Sequence, residues 1–447
     1  MAIDLTPRWQ NFAVYLPAQQ FGFASVVDSD KHRDKLRPFP ANIKLTDLDF
    51  LNAKSKLWHY GYALYSAGQF TSARPQACAV SNRDRTCTTI LGDSGGFQIG
   101  SGTLKGTEHL KNAKTTTELC DAWRNNKDVA KWIVNWLDTH SDYAMTIDMP
   151  LWARYPANKK SPFHKCSVDE LIDLTVGNLE YIKHTTRGTT KWLNVLQGTD
   201  AKDSKKWWDA VKKYKLGGWA LASMVGWRGG LENVLRSVLT IRDEGGFEAG
   251  QDWLHVLGTS TPVWAVLLTA IQRGIRAKAN PLLRVSYDSA SPFQLAGRFQ
   301  KVVRYPKFGS GFDSWTLTAH EAPINPMYAT NTHQFPFASP LGDLMTLQHL
   351  NVRGGEFQSK PVDTVGSAML TNHNVYIYVR ALLEANELAF MGISEADKCV
   401  PQVLLDACAF IEDLMGQQNW AAKLKKEQTL LQHKAFSGVA AKRDGMD

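Results

Sequence analysis

CTTILGDSGGFQI, residues 87–99, decides how the chain is read. A β-rich run (Thr88, Thr89, Ile90, Leu91) leads straight into an acid, a serine and two glycines, with Phe97 and Gln98 behind them. A buried strand that ends in Asp93 presents the carboxylate at a sheet edge. Gly95 and Gly96 let the backbone turn tightly and let a flat ligand approach with no Cβ in the way. Phe97 then offers a ring face to that ligand.

The same letters, GDSGG, surround the nucleophile of chymotrypsin-like serine proteases, and that reading demands a pair of antiparallel barrels. It fails on three counts. Phe97 stands where those proteases place proline. Their triad runs His, Asp, Ser along the chain, yet only His32 and His59 precede Ser94, and neither sits in an Ala-His-Cys setting. The pattern on either side is alternating βα, which antiparallel barrels do not use.

Downstream, Val129, Trp132, Ile133, Trp136 and Leu137 fall at helical spacing. Tyr143 to Ile147 reads as a short strand that stops at Asp148. Ser167 with Glu170 forms a capping box for a helix through about Ile182. Trp192 to Leu196 is the next strand, stopping at Gln197 and Gly198, and a basic helix around Trp207 precedes the strand Gly218 to Met224. Leu231, Val234, Leu235 and Val238 give a helix face, and Leu254 to Leu257 a strand ending at Gly258. Thr261 caps the following helix with Pro262 at its first position. Leu282 to Tyr287 is a strand stopping at Asp288. Upstream, Tyr60 to Ser66 is the first strand.

Strand, polar residue, loop and helix recur often enough to demand parallel strands with helical crossovers. No GxGxxG loop follows any strand, so the alternation predicts a closed (β/α)8 barrel rather than an open dinucleotide-binding sheet. The expected organisation is a cap or arm over residues 1–57 and a barrel over 58–387. An insertion at about 299–366 precedes the last βα unit, and a helical, basic extension covers 388–447. Asn372 to Ala385 (NHNVYIYVRALLEA) reads as the closing helix.

Composition narrows the function classes. The net charge of +8, from 51 Lys and Arg against 43 Asp and Glu, leans towards a polyanionic partner. The positive charge gathers in patches such as Lys202 to Lys215 and Lys423 to Lys442. Six cysteines without CxxC spacing read as free thiols in a reducing compartment. No signal segment and no apolar run of about 18 residues is present, so a cytoplasmic protein away from membranes is expected.

In such a barrel the strand ends converge on one mouth, which brings Asp93, Asp148, Gln197 and Asp288 together. Two carboxylates there suit glycosidic-bond chemistry, one attacking or stabilising the sugar and the other moving protons. A carboxylate accepts two N–H bonds from the N1/N2 edge of guanine, and a glutamine amide donates to O6. Adenine presents the opposite polarity, and a buried mismatch of that kind costs several kcal/mol.

DSGGFQ (93–98), TIDMP (146–150), NVLQG (194–198), GWALASM (218–224) and YDSAS (287–291), in this order and spacing, resemble the guanine transglycosylase family over roughly residues 60 to 390. The resemblance implies that Asp288 is the nucleophile that bonds to C1′ and Asp93 the general acid/base. It implies that Ser94, Asp148 and Gln197 bind the base edge, with Ser223 and Met224 touching it, and that Phe97 and Leu257 sandwich the ring. It implies no cofactor.

Departures from the family pattern sharpen the expectation. The tRNA-acting members carry a CxCxxC zinc site after the nucleophile strand, but this chain has no cysteine between 167 and 398, so no metal site is expected. Ala222-Ser223 stands where the family has Gly-Gly. A zinc-less, basic chain of this kind is similar to the DNA-modifying members encoded by phages and genomic islands. Those put a 7-deazaguanine of the preQ0/preQ1 type into DNA and mask it from restriction enzymes. The expected partners are therefore guanine-containing DNA and a free 7-deazaguanine base. Extrusion of the guanine would be helped by an aromatic such as Trp227 or Tyr287. A tRNA-guanine transglycosylase acting on RNA, and a barrel that binds nucleic acid without catalysis, are the alternatives.

Overall fold

In the computed structural model, which describes residues 3–32, 38–69, 77–186, 188–198, 200–222, 225, 230–248, 250–351, 362–392 and 399–437, eight parallel strands close on themselves. In chain order they are β1 (Val14–Gln19), β2 (Tyr62–Ser66), β3 (Thr89–Asp93), β4 (Tyr143–Met145), β5 (Lys191–Leu196), β6 (Gly218–Leu221), β7 (Trp253–Val256) and β8 (Arg284–Ser289). Each pairs with its chain neighbours, and β8 returns to β1 with Leu16 opposite Asp288, so the barrel has no free edge. The (β/α)8 fold expected from the alternation is the fold of the chain.

Alternate side chains fill the inside of the barrel. Val14, Leu16, Leu64, Leu91, Met145, Leu193, Val195, Ala220 and Trp253 form this inner cluster, and the intervening residues, such as Tyr15, Tyr65 and Tyr287, face the helices. The lower end is shut by Tyr143 against Trp253, with ring centroids 4.1 Å apart, and by the Arg284 guanidinium over Tyr62. The barrel is thus a packed core and not a pore, and its chemistry is confined to the carboxyl ends of the strands.

The expected caps are present. Ser167 and Glu170 form the capping box of helix Val168–Thr185, and the Thr261 side chain accepts from the Trp264 N–H at the start of helix Pro262–Lys278. Helix Pro262–Lys278 is buried along most of its length between the barrel and helices Thr364–Phe390 and Gln402–Leu414. All six cysteines are free thiols. Among the described residues no helix is long and apolar enough to cross a membrane.

Two boundaries differ from the sequence expectation. The segment read as a cap over 1–57 contains β1, so the barrel starts at Val14 rather than near residue 58. Every residue of β1 is buried, which removes the polar/apolar alternation of a half-exposed strand, and Pro17 argues against a central strand. With β1 supplying one of the eight strands, none remains to follow the insertion. The insertion therefore lies inside the last βα unit, after β8 and helix Ser291–Gly297, not before that unit.

It carries an antiparallel pair, Lys301–Arg304 with Thr318–Glu321, and is pinned to helix Thr364–Phe390 by His373 and Asn374, while the preceding Asn372 ties that helix to the N-terminal segment. Asn372 accepts from the Trp58 indole and donates to the Leu48 carbonyl. His373 bonds Ser339 and the Val303 carbonyl, and Asn374 bonds the Val303 N–H and the Lys301 carbonyl. Asn372, His373 and Asn374 are buried and each is hydrogen-bonded, as burial requires. Burial pushes the His373 imidazole down to about 4, so it sits in the interior uncharged.

Candidate active site

Asp93 is the last residue of β3, and the chain turns at once into helix Gly96–Ser101. Gly95 makes the turn at φ 90°, a left-handed conformation that side chains disfavour. A Cβ on Gly95 would lie 2.7 Å from the Cα of Gly68, in the loop after β2. Gly95→Ala is therefore expected to cost about 1–3 kcal/mol from the backbone alone, before the contact is relieved. Chemical denaturation measures this, and a variant as stable as the parent would contradict the tight turn.

Asp93 and Asp288, at the carboxyl ends of their strands, and Asp148, three residues past the end of β4, lie at this mouth. Burial raises the pKa of Asp93 above the usual carboxylate range, and the charge of Asp288 raises it further; the Ser66 hydroxyl, the Gly95 N–H and His255 act in the opposite sense. Burial likewise pushes Asp148 up to about 7, with Gln197 opposing and the charge of Asp93 adding to the rise. Asp93 thus feels Asp288 on one side and bears on Asp148 on the other. These residues are far apart in the chain and adjacent in the fold because β3, β4 and β8 all end on the same side of a parallel barrel.

Asp288 is held by one oxygen. The Gly258 N–H donates to its Oδ1 at 2.9 Å, and the Nε2 of His255 lies 3.3 Å from the same atom. The His255 contact is oblique and is not a formed hydrogen bond. Beneath it, inside the barrel, the Trp253 indole donates to the Ser286 hydroxyl at 2.7 Å, and that hydroxyl lies 2.8 Å from Nδ1 of His255. The consistent proton arrangement has Ser286 donating to Nδ1 and the Nε2 proton turned towards Asp288. The other tautomer would set a lone pair against a carboxylate. The other oxygen, Oδ2, has no hydrogen bond among the described residues.

Asp148 and Gln197 form a pair, with the Gln197 amide donating to Asp148 Oδ2. The Gln197 carbonyl accepts from the Leu151 N–H at 3.1 Å, which fixes the orientation of the amide. One amide hydrogen is thus committed to Asp148, and the second is left for a ligand. Ser94 is buried and its hydroxyl donates to the Thr146 carbonyl at 3.1 Å, tying the end of β3 to the chain leaving β4. Phe97 is 69% exposed, and its ring stacks on Trp152 with centroids 5.7 Å apart. Leu257 packs partly buried on the inner cluster. Ser223 and Met224 lie outside the described residues, as does Trp227. Tyr287 is fully buried against Tyr15 on the helix side of β8, so it is core and cannot assist extrusion of a base.

Sequence reasoning missed two neighbours of this site. His255 sits in the apolar run Trp253 to Leu257, where a histidine reads as core; its signal is the two-residue spacing that puts it on the inner face with Trp253. Trp152 follows the strand-end acid by four residues, and Gly100 leaves it room: a Cβ there would lie 2.5 Å from the indole. Among the described residues, no group of three or more His, Cys, Asp or Glu is arranged to hold a metal ion. Comparison with family models and with curated proteins returned no match.

Proposed function

We propose that this chain is a guanine transglycosylase that exchanges guanine in DNA for a 7-deazaguanine through a covalent Asp288–glycosyl intermediate. The observation that carries the reading is that Asp93, Asp148 and Asp288 lie at the carboxyl end of one parallel barrel, with the charge of Asp288 bearing on Asp93 and that of Asp93 on Asp148. A base-edge pair stands beside them.

The chemistry follows from the atoms. Asp288 Oδ2 attacks C1′ while the C1′–N9 bond breaks, and the electron pair leaves with guanine. Asp93, whose raised pKa retains a proton better than an exposed carboxylate, supplies that proton to the departing base. In the second step the incoming base gives its proton to Asp93 and its nitrogen attacks C1′, expelling Asp288. Two inversions leave the configuration unchanged. Ionised Asp148 accepts from the N1/N2 edge, and the spare Gln197 hydrogen faces O6. Adenine presents an acceptor at N1 to Asp148 and a donor to Gln197, so it is rejected. Phe97, backed by Trp152, stacks on the ring face.

The test is base exchange. The protein is incubated with guanine-labelled DNA and, separately, with labelled tRNA, each with a free 7-deazaguanine, and label release is followed. Release from DNA dependent on the free base is the expected result. Release from tRNA alone assigns the RNA reading, and binding of DNA with no release and no trapped adduct assigns the non-catalytic one.

A further inference from the structure

Most lysines of the run around Trp207 are already paired with acids. Lys205 and Lys212 pair with Asp209, Lys206 with Asp169, Lys212 also with Glu244, Lys215 with Glu248, and Lys423 with Asp413. The basic run around Trp207 is thus largely neutralised on its own surface. A different set is assembled by the fold. Lys111 and Lys114, from the long loop after β3, face Lys159, Lys160 and Lys165, from the loop after β4, across a cleft of about 280 Å³ that His164 also lines. All five lysines are exposed, no Asp or Glu lines the cleft, and none of the five has an ion pair among the described residues. Glu118, on the helix that follows, is engaged by the Lys114 backbone N–H.

The cleft continues the candidate active site. The two loops leave the strands whose ends carry Asp93 and lead to Asp148, and they meet at Gly102, the end of the helix that presents Phe97. A Cβ on Gly102 would lie 2.9 Å from Pro162 and 3.3 Å from the Lys111 side chain, so helix and cleft wall are in contact. From Phe97 to Gly102 is about 7.5 Å at 1.5 Å per residue, about the axial rise of two nucleotides of a strand at 3.4 Å each. A cluster of exposed lysines with no acid in the cleft lining offers its positive charge to a string of phosphates.

We propose that this cleft, and not the basic helix around Trp207, holds the sugar-phosphate backbone of the DNA strand on one side of the target guanine. The proposal rests on the transglycosylase reading for the position of that guanine, but the contact itself is tested by binding. Fluorescence anisotropy of a guanine-containing DNA oligonucleotide is measured over a salt series for the parent, for K111A/K160A/K165A and for K205A/K206A/K212A. Each lost phosphate contact lowers the slope of log affinity against log salt by about 0.9. The cleft variant is expected to bind at least about tenfold more weakly at 0.1 M salt with a slope reduced by about 2 or more. The helix variant should stay within about twofold of the parent, because its lysines already have partners. Thermal melting checks the fold, and exposed substitutions of this kind should leave the melting temperature close to the parent's.

Unchanged affinity and slope in the cleft variant, an equal loss in the helix variant, or tighter binding of an RNA of the same sequence overturns the proposal. Guanine release separates it from the reading beneath it. The cleft variant should keep kcat at saturating DNA with a raised KM. If the parent releases no guanine while the cleft substitutions still abolish binding, the cleft stands and the transglycosylase reading falls.

Discussion

Asp288→Asn is expected to lower guanine exchange by at least about 10⁴-fold, equivalent to about 5.5 kcal/mol of transition-state stabilisation, and to abolish the covalent adduct. An amide oxygen can still accept from the Gly258 N–H, so the anchor on Oδ1 survives while the nucleophile is lost. Melting temperature should therefore change little, which separates loss of chemistry from loss of fold. Adduct is read as a protein band shifted by trapped DNA, and exchange as release of labelled base. Residual exchange above about one per cent of the parent would remove Asp288 from the role of nucleophile, since groups acting as a unit leave far less than that when one is deleted.

Asp93→Asn tests the second carboxylate and carries effects of opposite sign on activity and stability. Exchange is expected to fall by about 10² to 10⁴, the usual worth of a positioned acid/base. The parent's rate should decline as pH rises through the raised pKa of Asp93, because the protonated form is the acid; the variant should lack that limb. For stability, the folded carboxyl titrates above its unfolded value, so its contribution falls as pH rises between the two and stays unfavourable above. Removing the charge should leave the melting temperature at neutral pH unchanged or raised. An inactive variant that is also strongly destabilised would mean that Asp93 holds the turn together rather than moving protons. The same sign holds for Asp148, whose ionisation at about 7 is resisted by burial and by its acidic neighbour. The site holds like charges together at the expense of stability.

Much of this was legible in the primary structure, for identifiable reasons. The strand-end acids were visible because a parallel strand reads as an apolar run and a polar residue at its end breaks it. The caps at Ser167 and Thr261 were visible because a short side chain must satisfy the first N–H groups of a helix. What escaped depended on contacts distant in sequence. β1 is buried on both faces and carries Pro17, so neither alternation nor propensity marks it. His255 looks like core until the pairing of β7 with β8 sets it under Asp288. The lysine run around Trp207 looked like the polyanion site, but it meets acids of other elements, Asp169, Glu244 and Glu248, whereas the lysines of the cleft come from two separate loops.

The seam between β1 and β8 has a consequence for how the protein is made. β1 leaves the ribosome first, yet one of its two edges waits until almost the entire cylinder has been synthesised. An uncovered strand edge recruits other chains, and the interval is long for a barrel of this size. Pro17, which falls on that seam opposite Ser289, has no N–H to offer a stray partner. The residue that hid the strand from a reader of the sequence also leaves that strand one donor short.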